Sequence, residues 1–325
     1  MKALAAYIMR GRKEAILVVM GFSLLALKIP IFGLINSVTI GLVSLYLGMA
    51  QGIVLIAIST VIVSIALAMF PAAPTEGGGD MLMAIAFWVV PLLSLWVVCG
   101  VLRNWRSLQL ALLTATGFGI LAVSGFRLVV SDTVKWWQQS PYNEFFSSAV
   151  ERVMAQQPVV QQQNLEMISA YLVALVTAGF TLSVIIHLFF ARGWQAVVYN
   201  PGGFRDEFFQ LRLDRRVAMA AIAIAVVLMV FGTSSFIGFV SMAILVLATL
   251  LYMLYGIAVV SAIFAARNWH WGFLIGVVFL TLIIGQLVIG SVEVAMMLVL
   301  QVFAILGFVD TFLDFRKRVK TQDQN

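Results

Sequence analysis

The stretch FIGFVSMAILVLATLLYMLYGIAVVSAIFA fills residues 236–265, carries no charged side chain, and is followed by Ala266 and Arg267. A helix that crosses a bilayer needs about 20 consecutive apolar residues, and this run exceeds that. A surface helix of a water-soluble domain would show a polar stripe every third or fourth residue, which is missing here. An outer-membrane barrel strand would be about 10 residues long and alternate in polarity, and that pattern is missing too. The run therefore reads as a helix in lipid, and the rest of the chain repeats it. Apolar runs cover 15–34, 35–50, 51–70, 81–102, 107–130, 166–190, 217–234, 236–265, 272–289 and 291–313. Of the 325 residues, 62% are hydrophobic and 10% charged, against about 45–50% and about 25% in soluble domains. The sequence predicts an all-α fold, a polytopic transmembrane helical bundle of about 10 spans, with eight as the alternative.

The charges orient the bundle. Lys2, Arg10, Arg12 and Lys13 precede the first run; Arg103 and Arg106 follow the fourth; Arg192, Arg205, Arg212, Arg215 and Arg216 lie in one connection; Arg267 and the tail residues Arg316, Lys317, Arg318 and Lys320 complete the set. These are sixteen of the twenty basic residues. The positive-inside rule puts all five segments in the cytoplasm, and with them both termini. The connection 71–80 carries Glu76 and Asp80 and no base, so it is expected outside. Residues 15–70 must then cross an odd number of times, three crossings giving ten spans and one crossing plus a re-entrant or surface-lying pair giving eight. The net charge of +6 is explained by this topology, so nucleic acid is not expected as a partner. The basic start leads into a segment too long for a signal-peptide core, so a retained first span is expected.

The chain divides into an amino-terminal transmembrane bundle (1–130), an external loop (131–165), a span (166–190), a cytoplasmic basic loop (191–216), a carboxy-terminal transmembrane bundle (217–313) and a cytoplasmic tail (314–325). In the external loop, Trp136 and Trp137 suit an interfacial aromatic belt. Phe146, Ala149/Val150 and Val153/Met154 follow at helical spacing, as in an amphipathic helix that anchors at the interface or closes over a pocket. In the basic loop, Asn200-Pro201-Gly202-Gly203 signals a turn. The candidates there for docking a protein or binding anionic lipid are Arg192, Trp194, Arg205, Arg212, Arg215 and Arg216.

Little in the chain supports catalysis. The two histidines, His187 and His270, and the one cysteine, Cys99, stand in no metal-binding spacing, and no Gly-Lys-Ser/Thr phosphate loop occurs. Neither metal nor cofactor is expected. Ser124 lies toward the outer end of its run and His187 toward the inner end of the next, so they do not make a protease dyad. Gly77-Gly78-Gly79-Asp80 follows a proline-rich stretch and reads as a turn. The polar residues within apolar runs are Lys28, Asn36, Gln51, Arg127, His187, Gln286, Glu293, Gln301 and Asp310. Ionisable groups in lipid are costly and mark pathways or ligand sites. Lys28, Gln286 and Glu293 are the ligand or ion-pair candidates. Lys28, just before Pro30, is read either as a helix end reaching a headgroup or as a broken helix lining a cavity. Asp310, Asp314 and Arg318 succeed one another by one turn, as in an ion-paired ladder on a helix leaving the membrane.

The stretch His187-Leu-Phe-Phe-Ala-Arg192-Gly-Trp194-Gln, continuing to Tyr199-Asn-Pro-Gly-Gly-Phe204, resembles the proteobacterial branch of the YybS-like bacterial membrane proteins, as does Gly307-Phe-Val-Asp310-Thr-Phe-Leu-Asp314-Phe-Arg316. That family has no agreed activity, so no site residue carries over. Its fold is distantly similar to the S-components of energy-coupling-factor vitamin transporters and to a cell-shape scaffold protein. The resemblance implies a non-catalytic protein of the bacterial inner membrane. It would bind or help transport a small hydrophobic or vitamin-like solute with a separate ATPase module, or else serve as a scaffold or accessory subunit among cell-envelope proteins, docking through 191–216. S-components are smaller, usually with six spans.

Overall fold

The computed structural model describes residues 2–69, 80–140, 142–156, 162–267, 275–276, 278–280, 283 and 292–316. The elements are α1 (Lys2–Ile8), α2 (Arg12–Ala26), α3 (Ile31–Tyr46), α4 (Met49–Met69), α5 (Asp80–Trp105), α6 (Leu108–Val129), α7 (Thr133–Gln139), α8 (Asn143–Gln156), α9 (Gln162–Tyr199), α10 (Gly203–Phe209), α11 (Arg215–Phe231), α12 (Phe236–Ala266) and α13 (Val292–Leu313). Among the described residues there is no strand. Six helices are long and apolar enough to cross a membrane: α4, α5, α6, α9, α12 and α13. Helices α2, α3 and α11, at 15, 16 and 17 residues, are shorter, and two thirds of the run 272–289 lies outside the described residues. Large apolar side chains stand open on the helix surfaces, Val129 and Met229 among them at 86% and 84% exposure. A soluble monomer rarely shows contiguous apolar surface on this scale; a protein solvated by lipid does.

The chain forms two compact units, one of residues 1–118 and 180–207 and the other of 119–179 and 208–325, so that α6 and α9 each run through both. In the first unit α2, α3, α4 and α5 pack on one another. Every residue of α3 from Val38 to Leu45 is buried, as expected of a helix that is apolar on all sides. Pro30, the residue before α3, sets the break after α2. The apolar count passes over that break because Leu27, Ile29 and Ile31 are themselves apolar, and in the structure they are exposed around it. Between α3 and α4 the chain turns on Gly48, φ +125°. Its N–H and that of Leu47 both donate to the Val43 carbonyl at 3.0 and 2.8 Å. The Nη1 of Arg103, on the last turn of α5, donates to the carbonyls of Ser44, Leu45 and Tyr46 at 3.3, 2.9 and 3.3 Å. These are the carbonyls that a helix end leaves without a partner. Beside them, Tyr46 and Tyr199 stack at 4.9 Å and join hydroxyls at 2.6 Å.

In the second unit α12 packs against α13 and α11. Gly256 and Gly307 let the α12 and α13 backbones touch: a Cβ on Gly256 would overlap the Phe303 carbonyl, and one on Gly307 would overlap that of Tyr252. A separate apolar cluster gathers Trp137, Phe146, Phe239, Val123, Ile168 and Leu172. The tryptophan pair therefore divides. Trp137 is 3% exposed, stacked on Phe146 at 6.0 Å, while Trp136 stays at the surface with its ring edge-on to Phe126 at 5.0 Å.

Candidate functional site

Polar groups fall in three places: inside the apolar helices, in the basic connections, and along cavity walls. The first holds a closed ring. Asn36 Nδ2 and Trp88 Nε1 both donate to Ser59 Oγ, at 3.1 and 3.0 Å. With both lone pairs of that hydroxyl taken, its proton goes to Ser23 Oγ, 2.9 Å away, and Ser23 donates in turn to Asn36 Oδ1 at 3.2 Å. Ser23, Asn36 and Ser59 are fully buried. The ring joins α2, α3, α4 and α5 and presents nothing to a solute. Lys28, the sequence candidate nearest to it in the chain, lies exposed in the turn after α2. Glu293 occupies the second position of α13, and Gln286 lies outside the described residues.

The basic connection is more ordered than its composition suggests. Helix α9 continues through Arg192-Gly193-Trp194-Gln195 to Tyr199, because nothing before Asn200-Pro201 interrupts a helix. Arg192 forms an ion pair with Glu207 and donates to Gln195 Oε1 at 2.7 Å. Trp194 is 7% exposed. Arg205 and Arg216 are exposed. In the other unit, Arg212 grips Asp314 with two hydrogen bonds of 3.1 Å, and the Arg215 guanidinium lies 5.0 Å from the Phe312 ring centre. Asp310 is buried and receives the Tyr255 hydroxyl at 2.6 Å and the Phe315 N–H at 2.7 Å. Arg316 Nη2 stands 3.5 Å from it, while the same guanidinium donates to the carbonyls of Phe209 and Leu211. Sequence spacing predicted a ladder of Asp310, Asp314 and Arg318 along one helix. Helix α13 instead stops at Leu313, and Asp314 has φ +48°, which turns its side chain off the helix toward Arg212; Arg318 lies outside the described residues. Tyr255, 55 residues from Asp310, gave no sequence signal beyond being a tyrosine in an apolar run.

A cavity with charged walls of both signs opens beside the amino-terminal end of α7. It lies where α6 ends and α7 begins, encloses about 330 Å³, and is bounded by Arg127, Asp132, Glu166, Thr233, Ser234 and Phe239, with Ser131, Thr133 and Val134. Arg127 donates through Nη1 to the carbonyls of Val130, at 3.0 Å, and Ser131, and through Nη2 to that of Ser234 at 3.4 Å. Its guanidinium lies 5.4 Å from the Phe239 ring centre. Glu166 accepts from Ser234 Oγ. Asp132 is exposed and caps α7, its Oδ1 accepting from Lys135 N–H at 2.9 Å. Thr133 Oγ1 and Ser169 Oγ, at 2.8 Å, hold α7 against α9.

No protein-family model, curated protein or solved structure matches the chain. The side chains themselves must then indicate what the cavity does. Of its residues only Arg127 stood out in the sequence, as a polar residue within an apolar run. Glu166 and Asp132 gave no signal, because their meeting depends on how α7 folds back on α9. Among the described residues, no group of three or more His, Cys, Asp or Glu side chains is placed to hold a metal ion.

Proposed function

We propose that this is a multi-pass protein of a bacterial inner membrane which binds a small solute from the outer face and assists its transport, without itself catalysing a reaction. The observation that supports this reading is the charged cavity of about 330 Å³ at the α6–α7 junction. It belongs to the connection between α6 and α9, whose two bases, Lys135 and Arg152, are outnumbered by the acids Asp132, Glu144 and Glu151, and which the positive-inside rule assigns to the outside. We take the topology as ten spans with both termini in the cytoplasm, α2, α3 and α11 crossing where the bilayer thins around them. Use of a separate ATPase module, in the manner of an S-component, accords with the lack of a phosphate loop in the sequence. A scaffold docking through 191–216 ranks second, because Arg192, Arg212 and Arg215 are engaged within the chain.

Native mass spectra of the protein, extracted gently from its own membrane, test the choice. A small molecule bound at one per chain, and displaced when Thr233→Trp fills the cavity, is the expected result. A co-extracted protein with no small molecule would replace solute binding by the scaffold.

A further inference from the structure

We infer that the solute taken by the α6–α7 cavity is a small primary amine, carrying one positive charge and presenting N–H donors. The inference rests on the solute-binding reading above and follows from what the cavity wall still offers. A guanidinium has five N–H groups, and the Val130, Ser131 and Ser234 carbonyls take three of those on Arg127. Two of these acceptors close the end of α6, where the helix dipole places partial negative charge, which offsets the charge of Arg127, while its Nε–H stays buried without an acceptor. The carboxylates are less fully used. Glu166 accepts one hydrogen bond from Ser234, and Asp132 accepts one from the Lys135 backbone, whereas an ionised carboxylate offers about four lone-pair sites.

Acceptors thus remain in excess over donors. Formal charge points the same way: one guanidinium faces two carboxylates, so a monocation neutralises the wall and an anion would enter against it. The Lys135 side chain lines the neighbouring depression, which shares Asp132 and Val134 with this cavity, and does not line the cavity itself. The apolar part of the wall is small, from Val134 and the 2%-exposed Phe239. The volume lies at the lower end of the roughly 300–1,000 Å³ typical of ligand pockets, which suits a compact molecule and not a peptide or a lipid.

The test uses the full chain in lipid nanodiscs and three probes that differ only in their polar group: phenethylamine, phenylethanol and phenylacetate. Affinity is read by calorimetry, and the unfolding midpoint of each unliganded variant is followed in parallel. Phenethylamine should bind about tenfold or more tightly than the alcohol, with the acid weakest. Glu166→Gln keeps an acceptor for Ser234 but removes the charge, and should weaken the amine about tenfold. Asp132→Asn keeps the α7 cap, since asparagine caps as well as aspartate. It should cost less, because Asp132 is exposed to solvent. Should one variant fold poorly, the other carries the comparison.

Equal or tighter binding of the alcohol or the acid would overturn the amine assignment and leave solute binding standing, provided Thr233→Trp abolishes it. Amine binding indifferent to both charge removals would also overturn the assignment. If no probe binds but native spectra show a bound anion or neutral molecule, the amine inference alone fails. If neither experiment yields a ligand, both readings fail.

Discussion

The Ser59 hydroxyl makes three buried contacts, accepting from Asn36 and Trp88 and facing Ser23. Its removal and that of Ser23 are not equivalent. Ser59→Ala leaves the Asn36 amide N–H and the Trp88 indole N–H without their acceptor. Ser23→Ala leaves the Ser59 proton free to swing to a carbonyl of its own helix, as serine does in helix interiors, and takes one donor from Asn36 Oδ1, a single loss against two stranded donors. A buried polar group deprived of its partner costs about 1–3 kcal/mol, so Ser59→Ala should destabilise by about 2 kcal/mol or more and Ser23→Ala by about 1 kcal/mol. Reversible unfolding in mixed micelles would decide, and equal losses would show that the ring does not run in the direction assigned. At this scale the sequence was legible one residue at a time. Asn36 stands out in an apolar run, but Ser23 and Ser59 look like ordinary small residues of packed helices, and only the fold shows that residues 13, 23 and 36 positions apart share one ring. The arginines show the same limit: Arg103 and Arg316 read as topology signals, yet each also binds backbone carbonyls that would otherwise end a segment unsatisfied.

Between elements, the best-defined junction is where the end of α13 meets α12 and the segment before α11. Two ion pairs hold it, and they should differ sharply in worth. Asp310 and Arg316 are 3% and 8% exposed, and Tyr255 shares the carboxylate. Arg212 and Asp314 have side chains 50% and 27% exposed. Removing one member of a buried pair leaves an uncompensated charge and costs about 3 kcal/mol or more, whereas an exposed pair contributes about 1 kcal/mol at most. Asp310→Ala should therefore loosen α13, read as faster proteolysis at the carboxy-terminal end and a lower unfolding midpoint, while Arg212→Ala leaves both nearly unchanged. Equal effects would mean that the buried carboxylate is not what fastens the junction. The helices themselves were largely visible in the apolar runs, because lipid demands a length and a composition that sequence displays directly: 236–265 became Phe236–Ala266, and 291–313 became Val292–Leu313. Positions where polar chemistry sets the boundary were not. Helix α9 runs on past Ala191, and the ladder expected beyond Asp310 ends at the positive φ of Asp314.

For the whole molecule, the open choice between ten spans and eight comes down to the hairpin of α2 and α3. At 15 and 16 residues these helices rise about 22 and 24 Å at 1.5 Å per residue, short of the roughly 30 Å of a bilayer core. If each crosses, the turn that joins them reaches the outer face. If the pair is re-entrant or lies along the inner surface, that turn never does. Lys28 marks it, and the side chain is exposed, so a cysteine placed there is not shielded by the protein. Cys99 is wholly buried and supplies little background for thiol labelling. With a membrane-impermeant maleimide on intact spheroplasts, Gln138→Cys should react, since it lies on α7 beside the cavity, and Gln210→Cys should react only after permeabilisation. Those two positions test the orientation that the basic clusters imply and that solute entry from outside requires. Lys28→Cys then settles the count. Labelling from outside means three crossings before residue 70 and ten spans, with the bilayer thinned around two short helices. Labelling only after permeabilisation means eight, and the Ser23–Asn36–Ser59–Trp88 ring would then fasten a re-entrant hairpin to the helices that do span.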